Sequence, residues 1–375
     1  EAQVVPAEPP SVVYKTSTTT LRPGKLFCFF KDLRYGEQDL CCKGCDYLIY
    51  TGLLLTNEKT YAYRPAGEEA WDVFMDMLKK VKSGSDGGLA FPTISTGTYM
   101  YASTLDLIEQ SADIPELLKE QPKLVALGTI GHQTDKVNLR RYYGAYRHIK
   151  KLLEGKDNAI SFLGAKVTSR SLADKLVEEL LEHLGSNVDT VIVESFIAPT
   201  GSVGCRVFPT SVYSSLTYQE TNLPSLEVAA HAVNRSRDEG DVYRIVFAST
   251  LATVVYIKGP RQRNSTNFGD ECGTSFLTDA GADCDVLSRI KSIPKNKGDI
   301  STHYSVDYGR RMYVFETIVN LFTKYKKYMP KYSDGWALYD VDMDKLDECG
   351  TTLKPYYRIE RTRVVVADRS NADVP

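Results

Sequence analysis

Lys25-Leu26-Phe27-Cys28-Phe29-Phe30, followed at residues 45–50 by Cys45-Asp46-Tyr47-Leu48-Ile49-Tyr50, is the stretch on which the fold turns. Each half is a short, nearly continuous run of apolar and aromatic residues. Such a run suits a strand covered on both faces, and strands of that kind build parallel sheets with helical crossovers. The two runs extend over Lys25–Lys31 and Asp46–Leu55, and six more follow: Leu89–Ser95, Lys123–Ile130, Ala159–Val167, Asp189–Ile197, Tyr243–Lys258 and Trp336–Asp342.

The segments between them have helical spacing. Trp71, Phe74, Leu78 and Val81 fall on one face, as do Leu172, Leu176, Leu180 and Leu184, and Val137–Leu153 and Met312–Tyr328 read alike. Strand followed by helix, eight times over, predicts a closed (β/α)8 barrel, a TIM barrel. An open doubly wound sheet would show a Gly-rich turn after its first strand, and none is present. Long loops are expected after strands six and seven, at Ala198–Leu223 and Gly259–Tyr308. In a barrel such loops lie at the strand C-terminal face, where sites are built. Residues 1–22, rich in Pro, Ser and Thr, read as a flexible lead-in, 23–366 as a single barrel and 367–375 as a tail.

The chain has 375 residues and a formal net charge of −2, with no long basic run, which argues against a nucleic-acid partner. No stretch reaches the ~18 apolar residues of a membrane span. It opens Glu1-Ala2-Gln3 without Met, as a processed secreted chain would. The eight cysteines are Cys28, Cys41, Cys42, Cys45, Cys205, Cys272, Cys284 and Cys349, an even number that allows complete pairing. Cys42-x-x-Cys45 could be half a zinc site, but zinc needs four ligands and no second pair follows, so disulfides are favoured. The sequons at Asn234 and Asn264 add to an extracellular reading. Neither a metal nor any other cofactor is expected.

The first two strands resemble the opening of glycoside hydrolase family 18 chitinases, K-L-x-C-Y-F followed by C-T-H-L-I-Y. Gly335–Asp344 with Cys349-Gly350 is similar to that family's last strand, and Thr134–Leu139 and Val188–Gly201 resemble its middle segments. The likeness spans residues 24 to 366. It implies a family-18 barrel and a Cys28–Cys45 disulfide. Cys349 is expected to pair with Cys272 or Cys284, and Cys205 with Cys41, Cys42 or the seventh loop. In style the chain fits a secreted arthropod protein, such as one from a tick or mite.

The family's acid comes from a fourth-strand D-x-x-D-x-D-x-E, whose alternate residues share the inward face. Here Ala126, Gly128 and Ile130 stand at those positions, and no Asp or Glu occurs between Glu120 and Asp135. The sixth-strand M-x-Y-D becomes Glu194-Ser195-Phe196-Ile197, and Tyr339 replaces the eighth-strand Trp. Glu194, Phe196 and Tyr339 are therefore the candidate ligand-binding residues, with no catalytic residue assigned. An inward Glu194 would ordinarily be an internal salt bridge, Asp342 and Asp344 caps of the turn that follows, Tyr142, Tyr143 and Tyr146 packing, and Lys324, Lys326, Lys327 and Lys331 a solvated basic face. The resemblance implies a secreted chitinase-like protein without chitinase activity that binds a carbohydrate or an extracellular or host protein. The alternatives are a glycoside hydrolase with carboxylates relocated to Glu194, Asp340 and Asp342, or a structural or storage protein.

Overall fold

The computed structural model describes residues 24–32, 44–55, 63–65, 68–80, 85–93, 100–136, 138–202, 204–214, 223–240, 243–259, 268–279, 302–306, 310–344 and 356–367. Eight parallel strands close a barrel: β1 (Lys25–Phe30), β2 (Tyr47–Tyr50), β5 (Asp86–Pro92), β6 (Leu124–Gln133), β7 (Ile160–Lys166), β8 (Thr190–Val193), β9 (Arg244–Thr250) and β14 (Gly335–Tyr339). The chain order around the wall is that of a (β/α)8 barrel. Side-chain alternation divides the core. Phe27, Phe29, Ala337 and Tyr339 point into the barrel, while Leu26, Cys28, Phe30, Trp336 and Leu338 pack outward beneath the helices.

The helices are α1 (Glu68–Lys80), α2 (Met100–Gln110), α3 (Asp113–Glu120), α4 (Tyr143–Leu153), α5 (Arg170–Glu179), α6 (Leu226–Asp238), α7 (Ile318–Tyr328) and α8 (Tyr357–Ala367). Ser169 and Ser225 cap α5 and α6 by accepting from the N–H groups of Leu172 and Val228. A short 3-10 turn, Leu139–Tyr142, leads into α4.

Two apolar runs and one expected helix divide where continuity was expected. The run Asp46–Leu55 supplies β2 and then β3 (Leu53–Leu55), which pairs with β4 (Tyr63–Pro65) outside the barrel. The run Tyr243–Lys258 turns at Leu251-Ala252, leaving the barrel as β9 and continuing as β10 (Thr253–Ile257). With β11 (Thr274–Thr278), β12 (Thr302–Val306) and β13 (Arg311–Phe315), β10 forms an antiparallel sheet in the order β11-β10-β13-β12. The expected seventh loop thus holds a sheet. The expected helix Met312–Tyr328 begins as β13, and α7 starts after Thr317, whose capping box with Asn320 fixes the helix N-terminus. β10 is buried on both faces like a barrel strand, so hydrophobicity alone carried no mark of the change of sheet.

Both chain crossings into this sheet are pinned by one side chain. Arg358 of α8 donates to the carbonyls of Leu251 (2.8 Å) and Glu316 (2.7 Å), and its Nε donates to Asp344 (2.7 Å). The Glu316 carboxylate in turn accepts from Lys324, Ser211 and Thr210, and Lys324 also reaches Ser249. Lys324 has 0% exposure, so it does not belong to a solvated basic face: a carboxylate at the end of β13 draws it inward. Lys326, Lys327 and Lys331 are exposed.

Cys28 and Cys45 are disulfide-bonded. With its sulfur engaged there, Cys45 has no thiolate for zinc. Cys205 is bonded to Cys272, joining the sixth loop to the sheet region. This removes Cys272 as a partner for Cys349. Cys41, Cys42, Cys284 and Cys349 lie outside the described residues.

Candidate functional site

The ends of the barrel strands converge on Glu194, which follows β8 directly. Its Oε1 accepts from the backbone N–H of Gly131 on β6 (2.8 Å) and from the hydroxyl of Tyr339 at the end of β14 (3.2 Å). Gly131 has φ of 79°, a left-handed conformation suited to glycine, and this turns its N–H toward the carboxyl. Glu194 is 6% exposed and forms no ion pair among the described residues. The expected internal salt bridge is therefore replaced by two neutral donors. Burial pushes the Glu194 carboxyl upward in pKa, against the Gly131 and Tyr339 donors and the Lys166 ammonium, which pull it down.

Aromatic rings fill the barrel below it. Tyr339 stacks on Phe29 with centroids 4.4 Å apart, and Phe29 meets Phe162 of β7 edge-on at 5.8 Å. One face of Tyr339 is thus covered. Phe196 lies 4.8 Å from the Tyr339 ring, tilted by 49°, and is half-buried, as is Ile130.

Ala126, Gly128 and Ile130 lie on β6, the fourth strand of the barrel, with Ala126 and Ile130 in its interior cluster. Gly128 has Phe162 against it, and a Cβ there would come 2.7 Å from that ring. No described carboxylate of β6 occupies this wall.

Asp340, half-buried, follows Tyr339 with φ of 56° and accepts from the Thr250 hydroxyl at 2.6 Å. Asp342 accepts from the backbone N–H groups of Asp32 (2.9 Å) and Lys31 (3.4 Å). It therefore anchors the end of β1 rather than capping the turn after it, and Asp344 is taken up by Arg358. Burial and the Asp340 charge raise the Asp342 pKa to about 7. Burial raises Asp340 as well.

Tyr142 and Tyr146 are buried, but Tyr143 is 46% exposed and does not pack. Tyr146 also donates to the Phe162 carbonyl at 2.7 Å, bridging β6 and β7 where their register shifts. Asn234 is exposed on α6, and Asn264 lies outside the described residues. Among the described residues no group of three or more His, Cys, Asp or Glu could hold a metal ion. A cleft of about 330 Å³ lined by Arg147, Lys150, Lys151 and Asp189 opens beside the start of β8, at the other end of the strand from Glu194. The sequence missed Phe29, Phe162 and Gly131 as parts of the mouth. The signal for the two rings was their inward parity with Phe27 and Ile160.

No family model and no curated protein matches the chain. Solved structures do. An immunomodulatory active chitinase from Trichuris suis is 11% identical, with a TM-score of 0.66 over 92% of this chain and 100% of its own. A Group IV chitinase from Ostrinia furnacalis, in complex with allosamidin, is 15% identical, with a TM-score of 0.63 over 92% and 100%. A chitinase-like agglutinin from Robinia pseudoacacia is 9% identical, with a TM-score of 0.60 over 91% and 99%. At these identities the likeness is one of fold.

Proposed function

We propose that the chain is a secreted chitinase-like protein of the family-18 type that does not hydrolyse chitin and binds a carbohydrate at the barrel mouth. The observation that carries this reading is the fourth strand. Ala126 and Ile130 face the barrel interior, Phe162 lies against Gly128, and no acid stands there to protonate a glycosidic oxygen. General acid catalysis contributes about 10²–10⁴-fold, so its loss leaves little turnover. Phe196 and Ile197, just past the end of the sixth barrel strand, offer no hydroxyl or carboxylate to an intermediate. The half-buried Phe196 ring supports retained binding, since stacking needs no acid, while Tyr339 is itself buried against Phe29. The two disulfides fit an oxidising, extracellular setting. An arthropod source, and an extracellular or host protein as partner, rest on the sequence resemblance.

One observation favours a second reading. Glu194 is a raised-pKa carboxyl at the strand ends, the environment of a general acid, and Asp340 and Asp342 follow the end of β14, whose Tyr339 donates to it. A structural or storage role would go with the filled barrel and no ligand. Hydrolysis of a fluorogenic chitooligosaccharide by wild type and Glu194→Gln separates these. Background turnover in both supports the proposal. Turnover above background that vanishes in Glu194→Gln would establish a relocated acid. A glycan array run beside it distinguishes a binder from a protein with no ligand.

A further inference from the structure

The cleft beside the start of β8 lies at the other end of that strand from Glu194, so its chemistry does not depend on the mouth. Its volume of about 330 Å³ falls at the lower end of the range for small-molecule sites, roughly 300–1,000 Å³. Helix α4 contributes Arg147, Lys150, Lys151 and Leu153, and Glu154 follows at its end. The chain just before β7 and β8 contributes Ala159, Asn187 and Asp189. Arg147, Lys150 and Lys151 stand at i, i+3 and i+4 of one helix and so share a face. The Lys150 ammonium donates to Asp189 Oδ1 at 2.7 Å, and Asp189 Oδ2 accepts from the N–H and the hydroxyl of Ser161, each at 2.8 Å. That pair compensates its own charge and fixes the ammonium, which keeps two further N–H donors. Asn187 is also engaged, its Nδ2 donating to the Leu184 carbonyl at 2.9 Å. Arg147 and Lys151 are exposed and have neither an ion pair nor a side-chain hydrogen bond among the described residues.

Basic residues in the last turn of a helix serve its C-terminal carbonyls, which accounts for Lys150 and Lys151. It does not account for Arg147, a turn earlier. A guanidinium presents parallel N–H groups to an oxyanion, and an ammonium adds point donors. Arg147, Lys151 and the remaining Lys150 donors exceed what the two oxygens of a carboxylate take up, whereas a phosphoryl group offers three. Leu153 and Ala159 add apolar surface to the same lining, suited to carbon. We infer that this cleft binds a small organic phosphate monoester, with the phosphoryl group on Arg147 and Lys151 beside the fixed Lys150 ammonium and the organic part against Leu153 and Ala159. Glu154 is the lining's acid without a partner among the described residues, and it opposes such a ligand.

The test is calorimetric titration of the full chain with phenyl phosphate, inorganic phosphate and benzoate at constant ionic strength, beside Arg147→Gln, Lys151→Gln and Glu154→Gln. Phenyl phosphate is expected to bind wild type most tightly, since benzoate lacks the third oxygen and inorganic phosphate the apolar body. Arg147→Gln and Lys151→Gln should each weaken phenyl phosphate about tenfold, the loss expected of a hydrogen bond to a charged group. Glu154→Gln should tighten it, because an uncompensated negative charge leaves the lining. All three side chains are exposed, and matching thermal unfolding verifies that folded molecules are compared. Phenyl phosphate affinity unchanged by Arg147→Gln and Lys151→Gln would put the anion elsewhere on the chain and overturn the inference. Benzoate binding as tightly as phenyl phosphate overturns the choice of phosphate, and inorganic phosphate binding as tightly overturns the organic part. Weaker binding by Glu154→Gln would show a ligand whose cationic group uses that acid, and overturns it as well. So does the absence of phenyl phosphate binding by wild type at about 10 mM. None of these outcomes bears on the barrel mouth, which the glycan array tests separately.

Discussion

A Cβ built on Gly128 of β6 would lie 1.9 Å from the carbonyl oxygen of Phe162 on the neighbouring strand β7. That oxygen belongs to backbone, and Tyr146 already bonds it. Relief therefore requires moving β7 rather than a side-chain tip. Overpacking of a dense core costs about 1–3 kcal/mol, and a backbone contact this close belongs at or above the top of that range. Gly128→Ala is expected to lose about 3 kcal/mol or more in urea unfolding, and Gly128→Asp to fail to fold. Putting the acidic pattern back at positions 126, 128 and 130 should consequently yield no chitinase. A Gly128→Ala stability within about 1 kcal/mol of wild type would contradict this account.

Arg358 has 1% exposure and its partner Asp344 has 0%. Removing one member of a buried pair leaves the other charge uncompensated, at a cost of about 3–5 kcal/mol. Arg358→Met should show a loss of that size. Because Leu251 and Glu316 lose their donor too, hydrogen exchange should quicken first in β10 and β13 and later in β1 or β9. Uniform acceleration across both sheets would show that Arg358 does not specifically hold the inserted sheet.

The barrel was legible because all eight strands are apolar runs buried on both faces, and that pattern survives without any knowledge of contacts. What the sequence hid was where a run changes sheet. Leu251-Ala252 has no Gly or Pro to mark the turn, and β10 keeps the composition of β9. Lys324 was misplaced because its helix carries Lys326 and Lys327 beside it, while the carboxylate that draws it inward, Glu316, sits one strand-end away. At the mouth, parity placed Glu194 and Tyr339 correctly inward. The donors to Glu194 could not be read, since one is a backbone N–H on a strand 63 residues earlier.

The Cys205–Cys272 bond spans 67 residues and ties the sixth loop to the segment before β11. Backbone bonds run alongside it, from Cys272 N–H to the Cys205 carbonyl and from Val207 N–H to Asp270. By loop entropy a cross-link of this span stabilises by about 4 kcal/mol. The double variant Cys205→Ser, Cys272→Ser should unfold earlier by an amount approaching that figure, with early loss of protection at 205–214. An unchanged midpoint would mean that the backbone bonds alone hold the loop.

Asp342 gives stability a pH dependence with a definite sign. Its carboxyl is 4% exposed and is pushed from 3.8 to about 7, first by burial and then by the Asp340 charge, against the N–H groups of Asp32 and Lys31. The folded state therefore holds a proton that the unfolded chain has released between about pH 4 and pH 7. Stability from this group is complete below about pH 4 and is lost as pH rises through 7. At 1.36 kcal/mol per unit the full loss is about 4 kcal/mol, and the share falling between pH 5 and pH 8 is about 2–3 kcal/mol. Asp340 and Glu194 are raised as well and slope the same way, so wild type alone cannot apportion the effect. Asp342→Asn isolates it, because the amide keeps an acceptor for Asp32 N–H and cannot ionise. Urea unfolding of both proteins should show Asp342→Asn gaining about 2–3 kcal/mol on wild type between pH 5 and pH 8. Parallel stability curves would mean that Asp342 titrates alike in the folded and unfolded chain, and a gain toward low pH would reverse the assigned sign.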